Sequence, residues 1–226
     1  MKLYMHAAAC SLSPHIVCRE LDLPIELVEV DRKTHRTAGG EDFLRINGKG
    51  YVPALRLEDG RILTEGPAIV QYLADLRPEV GLLAPAGTIE RTQTQSWLNF
   101  ITSEIHKPMA MLLNPTYAPV RAALLDLVGK RLDWASSQFA GPYLMGEQMT
   151  VADPYLFVCL NWSPWNGVDL DRWPLLQSFM ARIAARPKVQ EALKAEALIP
   201  LGDRGIFHAP ASYVAAAAEA RKRAAS

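Results

Sequence analysis

Residues 7–15 read AAACSLSPH, and this stretch joins a short apolar segment, Lys2–Met5, to the start of an amphipathic pattern. Because proline is tolerated only in the first turn of a helix, Pro14 predicts that a helix begins just after Cys10. The thiol would then lie among unpaired N–H groups at the positive end of a helix, which favours a thiolate. The alternative is a buried, unreactive cysteine, since cysteine is among the most buried residue types.

The composition of the 226-residue chain excludes several classes of protein. Basic and acidic residues number 24 each, so the zero net charge gives no electrostatic case for binding nucleic acid or an anionic membrane. No apolar run approaches the roughly 18 residues of a membrane helix, and the N-terminus has no signal-peptide core. Cys10, Cys18 and Cys159 form no C-x-x-C pair, so neither a disulfide framework nor a metal site is expected. We expect a soluble, cytoplasmic protein.

The hydrophobic pattern changes near residue 80. Before this point, strand-like segments alternate with helix-like ones, whereas beyond a connector rich in proline and glycine the pattern has a helical period throughout. The strands are predicted at 2–5, 25–30, 52–57 and 61–63, and the helices after Cys10 and at 68–76, 88–113, 120–139, 151–162, 175–185 and 187–197. We therefore predict an α/β N-terminal domain at 1–80, a linker at 81–87, an all-α domain at 88–200 and a C-terminal extension at 201–226.

Thr150 and Asp153 form a capping-box pattern ahead of the helix at 151–162. Their side-chain oxygens are spaced to accept hydrogen bonds from N–H groups of the first turn. In the extension, an alanine-rich stretch begins at Ser212, and we expect it to be a loosely held helix or a disordered tail.

Two further segments could bind a ligand. Pro53 is either a plain proline at the start of a strand or a cis residue that presents the backbone of Val52 to a peptide-like ligand. Glu65 and Gly66 begin a helix whose N–H groups could hold a carboxylate, while Glu65 could pair with an ammonium group. A simple helix cap explains Glu65 and Gly66 equally well.

Thr92, Ser96, Asn99, Ser103 and His106 recur at spacings of 4, 3, 4 and 3, so they share one face of a predicted helix. A face that is polar but uncharged suits a cleft or a subunit interface better than open solvent. His106 is either a ligand-binding residue or a satisfied structural histidine.

Six motifs occur in an order and spacing typical of one family. They are ACSLSPH at 9–15, GYVPAL at 50–55, LTEGPAIVQYLAD at 63–75, WLNFITSEIHK at 97–107, GEQMTVADPYLF at 146–157 and ARPKVQEAL at 185–193. With these motifs the chain resembles the cytosolic glutathione transferases, and most closely the bacterial beta class. The resemblance implies a thioredoxin-like N-terminal domain and an all-α helical C-terminal domain, assembled as a homodimer that binds glutathione as cosubstrate.

The resemblance also implies roles for individual residues. Cys10 and His106 would be catalytic, with Cys10 beside the glutathione sulfur and His106 near the thiols. Family members often carry lysine where this chain has His35. The residues that the resemblance assigns to glutathione binding are His35, Val52, Pro53, Glu65, Gly66, Asn99, Ser103, Glu104 and Lys107.

The expected activity is conjugation of glutathione to small electrophiles, monothiol thiol–disulfide exchange through Cys10, or both. Reductive dehalogenation is a narrower version of the same chemistry. The alternative from another class is a binding or regulatory protein of this fold without turnover. For the electrophile pocket, we expect Met109, Leu113, Tyr117 and Trp165.

Overall fold

The computed structural model describes residues 1–208, and its first part is built on a four-stranded mixed sheet. The predicted alanine-rich tail from Ser212 lies outside the described residues. The sheet order is β2-β1-β3-β4, in which β1 runs parallel to β2 and antiparallel to β3, and β3 runs antiparallel to β4. The strands are β1 (Lys2–Met5), β2 (Glu26–Glu29), β3 (Ala54–Arg56) and β4 (Ile62–Thr64).

The two faces of this sheet bury different residues, because successive side chains of a strand point to opposite sides. Leu3 and Leu55 belong to the main core, which they share with α1 (Leu12–Glu20) and α2 (Gly66–Asp75). Tyr4 packs in a smaller cluster on the other face. The predicted alternation of strands and helices is therefore confirmed: β1 has the predicted bounds, β4 is shifted by one residue, and β2 and β3 are shorter than predicted.

The remaining described residues are mainly helical. The helices are α3 (Ile89–Phe100), α4 (Lys107–Leu112), α5 (Arg121–Ser137), α6 (Ala152–Asn161), α7 (Ser163–Asn166), α8 (Pro174–Ala184) and α9 (Pro187–Ala195). Every residue of α6 is buried, and this helix packs against α1, α3 and α8, as expected of a helix that is apolar on all sides. Within residues 1–208, no helix is both long and apolar enough to cross a membrane. The fold class is as predicted, whereas the domain boundaries near 80 and 87 stay a prediction.

The helix predicted at 88–113 is interrupted by a π-helical turn, Ile101–His106. Pro108 follows this turn, and a proline inside a regular α-helix loses a hydrogen bond and clashes with the carbonyl four residues earlier. The wider turn changes the angular step along the helix, so His106 leaves the exposed face on which Asn99 and Ser103 lie and becomes partly buried. The prediction that His106 shares this face was wrong for that reason.

The capping pattern at the start of α6 is confirmed. The fully buried carboxylate of Asp153 accepts hydrogen bonds from the Thr150 N–H at 2.7 Å and the Thr150 hydroxyl at 2.9 Å. Its other oxygen accepts the Leu144 N–H at 2.8 Å, which ties the preceding loop to the helix. Burial raises the pKa of Asp153 to about 6, and these three donors act against that rise.

The chain continues past α9 into a small hairpin that packs on the helices. Its strands are β5 (Ile199–Pro200) and β6 (Phe207–His208). The side-chain amide of Asn161 accepts the Phe207 N–H at 2.7 Å and donates to the Phe207 carbonyl at 3.0 Å. Trp165 donates its indole N–H to Nδ1 of His208 at 2.8 Å, and the two rings stack. Residues 201–208, the first part of the predicted extension, are thus docked on the body of the protein.

The hairpin turn contains two glycines with similar backbone conformations, and only one of them is closely packed against its surroundings. Gly202 and Gly205 both have positive φ, at +67° and +71°. A Cβ on Gly205 would lie 2.3 Å from the Met180 carbonyl oxygen, whereas a Cβ on Gly202 would meet nothing within 4 Å. Only Gly205 is therefore required by close packing as well as by its backbone conformation.

We predict that G205A destabilises the folded protein by about 1–3 kcal/mol more than G202A, because only the former forces backbone atoms apart. Urea unfolding and limited proteolysis of the two variants measure this difference. Equal losses for both variants would mean that the hairpin does not pack against α8 as described.

Candidate active site

Cys10 lies in a loop between β1 and α1 that is held by its own side chains. Ser11 is fully buried, and its Oγ accepts the His6 N–H and donates to the His6 carbonyl, both at 3.1 Å. Ala8 has a φ of +60°, a left-handed conformation that costs a residue with a Cβ of order 1 kcal/mol. Such a conformation persists only where surrounding contacts impose it.

Two side chains from the helical part hold Ala8 from opposite sides. The Ala8 N–H donates to Oε2 of Glu196, just after α9, at 3.1 Å. The Ala8 carbonyl accepts the indole N–H of Trp162, just after α6, at 2.8 Å. Glu196 and Trp162 are both buried. We call these two hydrogen bonds the Ala8 clamp.

The hydrogen bonds around Glu196 indicate which ring nitrogen of its partner, His15, donates to it. Arg19 donates from Nε to Nε2 of His15 at 3.2 Å, and an arginine can only donate. His15 Nε2 is therefore an acceptor, so the proton is on Nδ1, which donates to Oε1 of Glu196 at 2.9 Å. His15 thus donates to the carboxyl group of Glu196, whose pKa is raised by burial.

The Cys10 thiol donates to the carbonyl of Val52 at 3.2 Å, and the Val52–Pro53 peptide bond is cis. Within residues 1–208, no group accepts a hydrogen bond from the Val52 N–H. Gly66 lies beside the same proline, since a Cβ on Gly66 would be 3.7 Å from Cγ of Pro53. The structure therefore brings Cys10, Val52, Pro53 and Gly66 together.

The expectation that Cys10 favours a thiolate was wrong. Burial raises the pKa of the thiol to about 11. The N–H groups of Cys10 and Ser11 and the charge of Arg32 lower this pKa, as expected at a helix start, but the cost of removing a charged sulfur from water is larger. Cys18 and Cys159 are fully buried.

Glu65 precedes α2 and has a φ of +68°, again uncommon for a residue with a side chain. Its carboxylate is exposed and pairs with the ammonium group of Lys49, which also donates to the Thr64 hydroxyl at 3.0 Å. The predicted preference of Glu65 for an ammonium partner is thus seen within the chain. The first N–H groups of α2 have no partner within the helix.

His106 lies among aromatic side chains. Its Nδ1 is 2.6 Å from the Tyr155 hydroxyl, and its ring meets the Trp162 ring edge-to-face with centroids 5.1 Å apart. Burial lowers the pKa of His106 to about 4, with a smaller contribution from Lys107, so the imidazole is neutral at neutral pH. Trp162 also donates to the Ala8 carbonyl, so its side chain lies between His106 and the Cys10 loop and contacts both.

The other residues that the sequence assigned to the site lie further from the thiol. The His35 ring packs against Gly50, where a Cβ would lie 3.1 Å from Cε1. Ser103 donates to the Asn99 carbonyl of its own helix, and Glu104 pairs with Arg131 on α5 at 2.5 Å. Asn99, Ser103 and Lys107 are exposed. Within residues 1–208, these helical residues make no direct contact with the Cys10 loop.

Sequence reasoning missed the residues that position the loop. Glu196 and Trp162 look like ordinary members of helical segments, and only their contacts across 188 and 154 positions reveal their role. The sequence did not indicate a role for Lys49 either, since a single lysine in a loop is usually solvated. Tyr155 could have been noticed, because a tyrosine hydroxyl buried in an apolar helix needs a hydrogen-bond partner.

Two family models match the chain. The glutathione S-transferase N-terminal domain matches residues 8–76, and the glutathione S-transferase C-terminal domain matches residues 96–196. Glutathione S-transferase GstA of Escherichia coli O157:H7 is 42% identical over 203 residues, which are 88% of this chain and all of that protein. The chain belongs to the glutathione S-transferase family.

Solved structures of this family agree with the assignment. A sphingomonad glutathione S-transferase complexed with glutathione has a TM-score of 0.84 and 42% identity, covering 88% of this chain and 100% of that one. The bacterial beta-class glutathione S-transferase of Sphingomonas chungbukensis has a TM-score of 0.83 and 40% identity, covering 86% and 98%. The predicted similarity to the beta class is confirmed.

We predict that alkylation of Cys10 by iodoacetamide accelerates with pH up to and beyond pH ~9, because only the thiolate reacts and the pKa is raised to about 11. Quenched-flow mass spectrometry measures the rate, with C10S as the control for the two buried cysteines. A rate that levels off between about pH 6 and 8 would contradict the raised pKa.

We predict that W162F alters the Cys10 alkylation rate and weakens glutathione binding, because it removes the indole donor of the Ala8 clamp. W165F is the matched control: it also removes one indole hydrogen bond, but that bond is to His208. Both variants are expected to lose about 0.5–1.5 kcal/mol of stability. Equal effects on Cys10 reactivity would show that the clamp does not position the loop.

Proposed function

We propose that this chain conjugates glutathione to small apolar electrophiles, with the Cys10 thiol as a hydrogen-bond donor to the glutathione sulfur. The observation that carries the proposal is the 3.2 Å hydrogen bond from Cys10 to the Val52 carbonyl beside Pro53. Membership of the glutathione S-transferase family supports it, as does the sphingomonad relative complexed with glutathione.

Glutathione fits the site in one direction. The Val52 backbone pairs with the cysteinyl residue, while the γ-glutamyl carboxylate lies at the Gly66 N–H and the start of α2. Glu65 holds the ammonium group. The glycyl carboxylate then points toward His35, with Lys33 and Arg36 on the same loop.

The protonation states suit Cys10 as a donor. A thiol whose pKa is raised to about 11 remains S–H at neutral pH, and it can turn from the Val52 carbonyl to the sulfur of bound glutathione. A hydrogen bond to an anionic sulfur favours the ionised form and lowers the pKa of the glutathione thiol. That thiolate attacks the electrophile, and the leaving group departs with the released proton as HX. Neutral His106 can accept a hydrogen bond nearby.

Monothiol exchange is a second candidate, favoured by the partial exposure of Cys10 and the burial of the other two cysteines. Cys10 would attack a disulfide to give a mixed disulfide and a free thiol, and glutathione would then displace Cys10. Ser13, at the position of a C-x-x-C partner, supplies no resolving thiol. This route requires the Cys10 thiolate, so the rate of thiol–disulfide exchange is expected to rise with pH. Reductive dehalogenation stays a narrower prediction for the same thiol.

For the electrophile, the partly exposed residues near α4 and α7 are the best candidates: Leu113, Tyr117 and Trp165. Met109 is fully buried and has no surface that a ligand could contact. The expectation that it lines the electrophile pocket was therefore wrong.

We also propose that two copies assemble through α3. Three exposed polar residues that share one face of α3, Thr92, Ser96 and Asn99, carry no charge. Beside them, the rings of Trp97, Phe100 and Trp134 cluster, and Trp134 is 46% exposed. An aromatic cluster beside uncharged polar groups is typical of a subunit interface.

Cytoplasmic location is consistent with the three free cysteines, and a role in detoxification would follow from conjugation.

We predict that C10A lowers kcat/KM for conjugation of a chlorinated nitroaromatic by about tenfold, because one hydrogen bond to a charged sulfur is lost. C10S should retain part of this activity, since its hydroxyl still donates, while both variants should lose reduction of a small disulfide completely. Steady-state assays of the purified proteins with glutathione measure both reactions.

Unchanged conjugation by C10A would contradict the donor role of Cys10. Binding of glutathione by the wild type without turnover of any electrophile or disulfide would favour the non-catalytic alternative.

A further inference from the structure

The ion pair between Lys49 and Glu65 has a consequence for ligand selectivity. Lys49 reaches Glu65 from a structured loop: its N–H donates to Oδ1 of Asn47 at 3.2 Å, and the Asn47 amide donates to the Tyr51 carbonyl at 2.7 Å. The ammonium group of Lys49 then bonds the Glu65 carboxylate and the Thr64 hydroxyl together. The loop therefore directs this lysine to one carboxylate.

We propose that Lys49 occupies the position of the ligand's α-ammonium group and must leave Glu65 when glutathione binds. This inference rests on the proposed function, in which Glu65 receives that ammonium group. Both groups are primary ammonium ions with three donors each, so they compete for the same carboxylate oxygens. Lys49 thus lowers the affinity of the site for ligands that carry an α-ammonium group, and leaves ligands without one unaffected.

The exposure of the pair sets the size of the effect. The Lys49 and Glu65 side chains are 48% and 66% exposed, so water and salt screen their attraction. The free energy of an exposed ion pair of this kind corresponds to a change of roughly two- to fivefold in a binding constant. Removal of the lysine should therefore tighten glutathione binding by roughly two- to fivefold at physiological salt, and by less at high salt.

The matched control is another exposed ion pair, between residues of β1 and β2. Lys2 and Glu26 are 3.0 Å apart with side chains 45% and 58% exposed, and they lie at the end of β1 opposite to the Cys10 loop. K2M makes the same change of charge without touching Glu65. K49R tests whether a cation at position 49 is sufficient for competition.

Isothermal titration calorimetry with two ligands tests the proposal. The first is S-methylglutathione, which cannot exchange with Cys10, and the second is its analogue without the α-amino group, glutaryl-S-methylcysteinylglycine. We expect K49M to bind S-methylglutathione tighter than the wild type, and to bind the deaminated analogue no tighter. K2M and K49R should match the wild type with both ligands.

The outcomes separate this inference from the proposed function. Weaker or equal binding of S-methylglutathione by K49M would overturn the competition, and weaker binding of both ligands would instead make Lys49 a contact to a ligand carboxylate. Tighter binding of both ligands would also overturn it. If the wild type binds neither ligand, the proposed function itself fails.

Discussion

The Ala8 clamp is the interaction on which the geometry of the active site depends. Ala8 adopts a left-handed conformation that an alanine avoids, and its N–H and carbonyl are both bonded by side chains from the helical part of the chain. The buried carboxyl group of Glu196 receives hydrogen bonds from the Ala8 N–H and from His15, which offset part of the cost of its burial. The thioredoxin-like part therefore supplies the thiol, whereas the helical part fixes its direction.

Burial explains why the Cys10 thiol and the His106 imidazole are both neutral. Removal of water raises the pKa of Cys10 and lowers that of His106, so each group prefers its uncharged form. A site of this kind is suited to stabilise a charge that the ligand brings, since its donors are already oriented. The helix start after Cys10 contributes in the expected direction, but the effect of burial is larger.

The sequence predicted those features that depend on neighbours along the chain. Strand alternation, the helix start at Pro14 and the capping pair Thr150 and Asp153 act within a few residues, so local patterns were sufficient. The roles of Glu196 and Trp162 arise from contacts between distant segments, which spacing in one sequence does not encode. The direction of the Cys10 pKa shift was mispredicted for a related reason: desolvation depends on all the elements that surround the sulfur, whereas the helix-start effect is local.

Ala8 and Glu65 both have positive φ, and they are held in different ways. Buried hydrogen bonds fix Ala8, so the position of the thiol is determined strongly before any ligand arrives. Glu65 is exposed, and the side-chain contact that it makes is with Lys49, which water and salt weaken. The end of the site where bonds are made and broken is therefore rigid, whereas the end that recognises the amino group is adjustable. Changes of charge near Glu65 can then tune affinity without disturbing the geometry around Cys10.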